Sequence, residues 1–261
     1  MVFQRLYVEV KMLEYVGYVD RGLVHKTNDD AALLKHSVIH EGFFRGKCQE
    51  EDGIFAVADG VGSVNCSELA SRYALSEARE CGAGDIDGIK ECICKINYGL
   101  LELTKWYQLR DVLSTTLCMV SVTETKVVSF NLGNSRLYRF RNGYLRQMTK
   151  DQTKVQNLID MGLLDPHKAD EHPEKNVINQ FLGSEVFRKD WLDIKEHVET
   201  FEKNDVLLLC SDGIHEYVDI RLIEEILSVE GTLEEQAKIM MRCAEDAGGK
   251  DNATVVLIKK L

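Results

Sequence analysis

The chain has 261 residues, 44% of them hydrophobic and only 2 of them prolines, so we predict a single domain, residues 1–261, with a full buried core. Its formal net charge of −11 argues against nucleic acid or an anionic membrane as a partner, because both require a basic protein surface. No apolar run reaches the roughly 20 residues that span a bilayer, and Arg5 and Glu9 do not fit a signal peptide, so we expect a cytoplasmic protein.

The 8 cysteines lie in apolar or helical stretches, as Cys118, Cys210 and Cys243 do. Free cysteine is among the most buried residue types, and disulfides are rare in cytosolic proteins. We therefore predict that the cysteines are reduced core thiols. Cys92 and Cys94, the closest pair, lack the C-x-x-C spacing and the companion ligands of a zinc site.

The first elements in chain order are one or two strands predicted by an imperfect alternation over residues 2–19. The polar, glycine-containing stretch 36–52 predicts a loop or a loose hairpin. Asn65 with Glu68 three residues later predicts a capped helix. A second helix is predicted over 86–107, where apolar residues recur every three or four positions without a break.

The second half of the chain begins with strand-forming patterns. Asn142–Gly143 between two such runs is the strongest short-range signal of a β-hairpin. Asp165–Pro166, Asp219 and Thr232 each predict the start of a helix. The predicted strands are 117–122, 127–132, 136–140, 144–147, 192–198, 206–210 and 255–258. Strands and helices in separate sets predict an α+β fold with helices outside antiparallel sheets.

Acids stand at the ends of several buried strands. Asp59–Gly60 follows the apolar run 54–58, Asp212 follows 206–210, and Asp251 precedes 255–258. A lone Asp–Gly after a strand is usually a turn, but isolated buried carboxylates would be costly. The chain therefore holds three distant acids at the ends of three buried strands. The glycines at 60 and 62 do not form a dinucleotide loop, because the third glycine position holds Asn65.

Six blocks along the chain resemble, in order, the signature blocks of the metal-dependent protein phosphatase 2C family. They are Asn28-Asp29-Asp30, Asp59-Gly60-Val61-Gly62, Ser114-Thr115-Thr116, Gly133-Asn134-Ser135-Arg136, Leu208-Leu209-Cys210-Ser211-Asp212-Gly213 and Asp251-Asn252-Ala253-Thr254. The segment 149–183 resembles the flap subdomain of compact bacterial members. The resemblance implies a four-layer α+β sandwich, in which two antiparallel sheets are flanked by helices.

The same resemblance implies a serine/threonine protein phosphatase that holds two manganese or magnesium ions. It implies that Asp59 bridges both ions, that the Gly60 carbonyl joins one of them, and that Asp212 and Asp251 complete the other. Two such metals lower the pKa of a bridging water and align it for in-line attack on phosphorus. Phosphorylated proteins are then the expected substrates and a serine/threonine kinase is a candidate partner in signalling. The oligomeric state stays open.

Three further acids lie near the predicted metal ligands. The resemblance implies that Asp29 and Asp30 bind metal waters or orient the other ligands. Asp111 lies near the place where some family members bind a third metal, but its spacing is not a clean match, and a surface-turn aspartate is the alternative.

The chain departs from the family pattern at three positions: His25 stands in place of an arginine that clamps the substrate phosphate, Ser63 in place of a glycine and Asn134 in place of an aspartate. A histidine cannot form arginine's bidentate contact with phosphate. Protonated His25, Lys26 or Arg21 is a weaker substitute, and an exposed loop histidine is the alternative. A phosphatase-like regulatory or binding module with impaired turnover is therefore the second hypothesis for function.

Overall fold

The computed structural model describes residues 12–49, 53–62, 66–82, 86–123, 126–169, 171–189, 192–197 and 201–261. The strands are β1 Met12–Asp20, β2 Asp30–Leu34, β3 Ser37–Ile39, β4 Gly42–Gln49, β5 Gly53–Val61, β6 Ser114–Thr115, β7 Leu117–Val122, β8 Val127–Leu132, β9 Arg136–Arg141, β10 Tyr144–Gln147, β11 Asp193–His197, β12 Val206–Cys210 and β13 Ala253–Lys260. The α-helices are α1 Ser67–Ala78, α2 Ile86–Trp106, α3 Lys154–Asp160, α4 Asp212–His215, α5 Ile220–Ser228 and α6 Leu233–Asp246.

The described strands form two antiparallel sheets. The first has the order β10-β9-β12-β13-β1-β4, and the second has the order β11-β8-β7-β5-β2-β3, with the short β6 paired to β5. Strands that are distant in the sequence become neighbours, so β13 lies between β1 and β12. This arrangement brings the end of the chain next to its first described strand.

Three apolar clusters define four layers. One lies between the two sheets and includes Phe55 and Leu209. The second lies between the second sheet and the pair α1 and α2, where Ile93 has no exposed surface. The third lies between the first sheet and helices α4 to α6 and includes Met240. The predicted α+β sandwich is therefore confirmed, and burial of these apolar side chains supplies the main stabilising term.

Most helix and hairpin signals act as predicted. The β9–β10 hairpin turns at Asn142, whose φ is 53°. Asp219 accepts a hydrogen bond from the Arg221 amide at 2.8 Å, and Thr232 forms a complete capping box with Glu235. The predicted cap Asn65 lies outside the described residues, as do residues 2–11 of the first predicted strand. Within the described parts of the chain, no helix is long and apolar enough to cross a membrane.

The prediction of a loop or a loose hairpin over 36–52 is wrong for the described part of that range. Residues 37–39 form β3 and residues 42–49 form β4, which pair in different sheets. Each is the last strand of its sheet. Edge strands carry polar and charged side chains. In β4, Arg45, Lys47 and Gln49 are exposed, so this strand lacks the continuous apolar run of an interior strand such as β12. Residues 50–52 are outside the described ranges.

The prediction of reduced thiols is wrong for Cys81 and Cys92. Their sulfurs form a disulfide between the end of α1 and the first turns of α2, with the Cα atoms 5.7 Å apart. The pair is eleven residues apart in sequence, and its juxtaposition depends on how the two helices pack. Cys94 remains a free thiol, as do Cys118, Cys210 and Cys243.

Residues 149–183 form an excursion between β10 and the second half of the sandwich. It contains α3 and a 3-10 turn at Pro166–Lys168, which is capped by Asp165. Thr153 pairs with Ile178 at the base of the excursion, and Leu182 pairs with Thr115 at its return. Because Thr115 pairs with Gly60, the excursion ends beside the strand that carries Asp59.

Candidate metal centre

Asp59 and Asp30 come together through the pairing of β5 with β2. The two residues are direct partners in this antiparallel pair, so their side chains lie on the same face of the sheet. Thr116 fixes the backbone of Asp59 from the other side: its amide donates to the Asp59 carbonyl at 2.8 Å, and its Oγ1 accepts from the Asp59 amide at 3.0 Å. The Gly60 amide donates to the Asp29 carbonyl at 3.0 Å.

Asp212 and Asp251 come from the first sheet. Asp212 begins α4 directly after β12, and Asp251 lies two residues before β13. A Cβ on Gly213 would lie 1.9 Å from the Asn252 carbonyl oxygen, so only glycine allows the two segments to approach this closely. The Asp–Gly after β12 therefore serves tight packing against the segment that carries Asp251.

Asp30 is the link between the sheets. It is 1% exposed, and its Oδ2 accepts hydrogen bonds from Ser211 Oγ at 2.6 Å and from Thr254 Oγ1 at 2.7 Å. Its other oxygen, Oδ1, is buried and has no hydrogen-bond partner among the described residues. A buried carboxylate oxygen without a partner is costly, so this atom is available to a group that the chain does not supply.

Asn252 organises the loop that leads into β2. Its Oδ1 accepts from the Asp29 amide at 2.8 Å, and its Nδ2 donates to the carbonyls of Arg21 and Thr27. Asp29 Oδ1 is buried and, like Asp30 Oδ1, has no partner within the described ranges. Asn252 thus holds Asp29 beside the other acids.

His25 lies on this same loop and faces Asp251. Its Nε2 is 3.3 Å from Asp251 Oδ1, and nearly half of each side chain is exposed. Gly22 allows the loop to pack here: its φ is +73°, and a Cβ would lie 2.3 Å from the Asp251 carbonyl oxygen. Arg21 donates to the Lys26 carbonyl at 3.2 Å. The structure therefore places His25 against a candidate metal ligand.

The clustered acids raise one another's pKa. Burial, followed by the charges of Asp212 and Asp251, raises the pKa of Asp30 to about 7. Burial, followed by Asp251 and Glu216, raises the pKa of Asp212 to about 6. The pKa of Asp59 is well above its usual range for the same reasons, because it is desolvated and lies beside Asp212. Among the described residues, no lysine or arginine forms an ion pair with Asp59 or Asp212.

This donor set fits hydrated divalent cations. In the described ranges, no group of three His, Cys, Asp or Glu side chains is positioned to hold a metal by itself. Magnesium, however, keeps several waters and binds through one or two carboxylates, and hard cations prefer oxygen donors. The unpartnered oxygens of Asp29 and Asp30 and the mutual repulsion at Asp59 and Asp212 are the features that such ions would relieve.

Asn134 contacts the cluster from β9's side of the site. Its Nδ2 donates to Asp212 Oδ2 at 2.9 Å, and its backbone carbonyl lies 3.0 Å from His215 Nε2. Burial lowers the pKa of His215 well below its usual range, so the neutral imidazole donates to this carbonyl. Asn134 supplies a hydrogen-bond donor where an aspartate would add a sixth acid to the five already present, namely Asp29, Asp30, Asp59, Asp212 and Asp251.

The structure does not bring every predicted residue into the cluster. Asp111 is exposed on the bend between α2 and β6, which favours the surface-turn interpretation of this aspartate. Ser63 lies outside the described residues. Sequence reasoning named the acids but missed the hydroxyls and the amide that position them, namely Ser211, Thr254 and Asn252. The sequence feature that could have identified these three residues is their position, since each lies within three residues of a named acid.

Comparison with known proteins gives the family. The sequence model of protein phosphatase 2C matches residues 43–253. The chain is 31% identical over 250 residues to the serine/threonine phosphatase stp of Listeria monocytogenes, covering 92% of this chain and 93% of the relative. The chain belongs to the protein phosphatase 2C family. It is a hydrolase, a protein phosphatase.

Solved structures agree with the fold. The Mycobacterium tuberculosis serine/threonine phosphatase PstP/Ppp superposes with a TM-score of 0.78 at 28% identity, covering 95% of this chain and 98% of that one. A structure of the PstP catalytic domain in complex with two manganese ions superposes with a TM-score of 0.77 at 27% identity, covering 96% and 99%. Metal dependence is thus a property of the family to which this chain belongs.

Proposed function

We propose that the chain hydrolyses phosphoserine and phosphothreonine in proteins at a centre of two manganese or magnesium ions. The observation that carries the proposal is the position of Asp59, opposite Asp30 and beside Asp212, in a cluster whose acids share no lysine or arginine partner within the described structure. Without cations, such a cluster is a source of repulsion.

Each acid has a role in this proposal. Asp59, with the Gly60 carbonyl, and Asp212, with Asp251, would hold the two ions. Asp30 holds its oxygen toward the centre through Ser211 and Thr254, and Asp29 acts from the loop fixed by Asn252.

When bound, the two ions would supply a water of lowered pKa and a positive field for the charge that develops on the phosphoryl oxygens. The protein residues bind and orient, and no side chain needs to act as a nucleophile. A catalytic role for Asp59, Asp212 and Asp251 therefore means holding the centre in one geometry.

His25 has one of two roles. Its 3.3 Å contact with Asp251 supports a positioning role for this histidine, and a protonated His25 would also present a weak cation to the substrate phosphate. His25→Arg separates the two. A lower KM for a phosphothreonine peptide in His25→Arg indicates phosphate binding at this position. A higher half-saturating manganese concentration without a change in KM indicates that His25 acts through Asp251.

The alternative is a binding module that holds metal and turns over poorly. The test is hydrolysis of para-nitrophenyl phosphate and of a phosphothreonine peptide, with manganese and with excess chelator. Manganese-dependent release of phosphate supports the phosphatase. Bound manganese without turnover of either substrate would favour the module.

Further parts of the proposal concern the cell and the chain. We infer a single domain over residues 1–261 with a flap at 149–183, a cytoplasmic location, and a serine/threonine kinase that acts on the same substrates. A third metal near Asp111 has less support, since Asp111 is exposed. A direct check is copurification of phosphoproteins with an inactive Asp59→Asn variant.

A further inference from the structure

One carboxylate attaches the excursion formed by residues 149–183 to the helices beside the first sheet. Glu216 Oε2 accepts a hydrogen bond from Asn176 Nδ2 at 3.2 Å and forms an ion pair with Lys175 Nζ, also at 3.2 Å. Among the described residues, no other side-chain hydrogen bond or ion pair joins 154–177 to an element outside the excursion. Glu216 therefore provides the polar attachment of this segment.

Glu216 belongs to the same short helix as a proposed metal ligand. It is the C-terminal cap of α4, which begins at Asp212, and its amide donates to the Asp212 carbonyl at 3.0 Å. Its carboxylate also acts on the centre electrostatically. After burial and Asp251, the charge of Glu216 is the next cause of the raised pKa of Asp212. One residue thus connects the excursion with the clustered acids.

The ion pair of Glu216 with Lys175 is partly shielded from water. The side chain of Glu216 is 14% exposed and that of Lys175 is 39% exposed. Fully exposed ion pairs contribute little to stability, but a carboxylate that is largely removed from water is costly without a partner. Glu216 therefore favours the arrangement in which Lys175 lies against it.

The return of the excursion is attached in a different way. It pairs with β6 through its backbone, and the buried Asn97 of α2 holds it with its side-chain amide. Asn97 Oδ1 accepts from the amides of Gly183 and Ser184 at 2.8 and 3.1 Å, and its Nδ2 donates to the Ser184 carbonyl at 3.2 Å. The return is thus fixed by several buried contacts, whereas the segment 174–177 depends on the side chain of Glu216.

We propose that Glu216 is a positioning residue for the protein substrate, because it holds Lys175 and Asn176 and so fixes the excursion beside the metal centre. The inference rests on the proposed function, since it requires a phosphoprotein segment at that centre. An aryl phosphate occupies the centre alone, whereas an extended peptide continues for about 3.3 Å per residue and meets the surfaces around it. When the excursion is held for only a fraction of the time, the apparent affinity for the peptide falls by that fraction.

The first test compares Lys175→Met with Lys168→Met. Lys168 is an exposed residue of the same excursion, so its variant removes the same charge without touching Glu216. Lys175→Met is expected to raise KM for a phosphothreonine peptide about threefold to tenfold and to leave kcat for para-nitrophenyl phosphate unchanged. An unchanged peptide KM in Lys175→Met, or an equal rise in Lys168→Met, overturns the proposal.

Manganese dependence distinguishes positioning from a general loss of structure. Lys175→Met removes a positive charge from the neighbourhood of the acids, so the half-saturating manganese concentration is not expected to rise. Glu216→Gln removes a negative charge beside Asp212, so that concentration is expected to rise in this variant while the peptide KM rises as well. A higher half-saturating manganese concentration in Lys175→Met would mean that the variant disturbs the whole centre, which contradicts a role through the excursion.

A double variant tests whether the two residues act as a pair. Both single changes remove the same contact, so Lys175→Met combined with Glu216→Gln is expected to have a peptide KM no higher than that of the poorer single variant. If the two increases in KM multiply in the double variant, the residues act independently, and the assignment of Glu216 as the partner of Lys175 is wrong.

Hydrogen exchange separates this inference from the proposed function. The amides of residues 171–179 are expected to exchange at least about threefold faster in Lys175→Met and in Glu216→Gln than in the wild type, while the amides of β13 exchange at the same rate in all three. If manganese supports no hydrolysis of para-nitrophenyl phosphate, the proposed function fails, but faster exchange still supports the attachment by Glu216. Equal exchange of residues 171–179 in all three proteins contradicts that attachment.

Discussion

Asp30 and Asp59 are direct partners across the antiparallel pair of β2 and β5. Two like charges in such a position repel each other, and Asp212 lies close enough to raise the pKa of both. The sequence keeps this unfavourable arrangement in an otherwise well-packed sandwich. Cations bound between these acids would remove the repulsion, which explains why the acids lie so close together.

The metal-free protein is expected to lose stability as the pH rises from about 4 to 7. The folded-state pKa of Asp30 is about 7 and that of Asp212 about 6, both above the ordinary 3.8. In this window the unfolded chain has released protons that the folded chain retains. The free energy of unfolding therefore falls with pH, by an amount on the order of a few kcal/mol.

Thermal unfolding in chelator at several pH values tests this, with Asp59→Asn as the comparison. The variant removes one charge from the cluster, so its stability is expected to depend less on pH. Exposed acids whose pKa is lowered by a lysine, such as Asp160, are present in both proteins. Their effect on stability is therefore the same in both and does not contribute to the difference. Saturating manganese should reverse the trend in the wild type, because metal binds the deprotonated acids. If the free energy of unfolding changes equally with pH in the wild type and in Asp59→Asn, the acids of the cluster do not raise one another's pKa.

Asn134→Ala is expected to weaken manganese binding, so that the half-saturating manganese concentration rises, and to lower kcat/KM by about 10–100-fold. The reason is the 2.9 Å hydrogen bond to Asp212, since groups that orient a metal ligand commonly contribute this much. The measurement is the half-saturating manganese concentration for hydrolysis of an aryl phosphate. Unchanged manganese dependence would mean that Asn134 does not act through Asp212.

Breaking the Cys81–Cys92 disulfide is expected to lower the free energy of unfolding by roughly 2–3 kcal/mol. The bond closes a short loop between two helices, and a loop of about this length restricts the unfolded chain to that extent. Urea unfolding of Cys92→Ser checks the value, and Cys94→Ser, a free thiol on the same helix, is the control. Equal stability of both variants would show that the bond does not form in solution.

Removing one partner of the Arg136–Asp151 pair is expected to be costly. Asp151 is 12% exposed, so Arg136→Met leaves a carboxylate largely buried and unpaired, at a cost of about 3–5 kcal/mol. The double variant Arg136→Met with Asp151→Leu should recover most of this loss in urea unfolding. Lys90→Met breaks an exposed pair and should change stability by less than about 1 kcal/mol. A double variant no more stable than Arg136→Met would contradict the argument.

Local signals in the sequence were sufficient for α1, α2, α5, α6 and most strands. Asn142–Gly143 encodes a hairpin because the turn needs a residue that tolerates positive φ, and the helix caps are equally local. The edge strand β4 was missed because every second residue in its second half is polar and exposed, so it lacks the continuous apolar run of an interior strand. The Cys81–Cys92 bond was missed because it depends on helix packing rather than on spacing.

For the candidate site, the sequence pattern identified the acids but not their arrangement. That Asp59, Asp212 and Asp251 follow or precede buried strands could be read directly. That Asp30 faces Asp59 depends on the register of β2 with β5, which periodicity alone does not determine. Asn134 and Asp212 are 78 positions apart in the sequence, so their contact could be identified only from the folded structure.

The most direct test of the central claim is release of phosphate from a phosphothreonine peptide by Asp59→Asn, across a manganese titration. The control is Asp246→Asn, a change of the same kind at the exposed end of α6. A two-metal phosphatase predicts that Asp59→Asn loses at least about 100-fold in kcat, while Asp246→Asn matches the wild type. Wild-type turnover in Asp59→Asn at every manganese concentration would contradict the metal centre proposed for this chain.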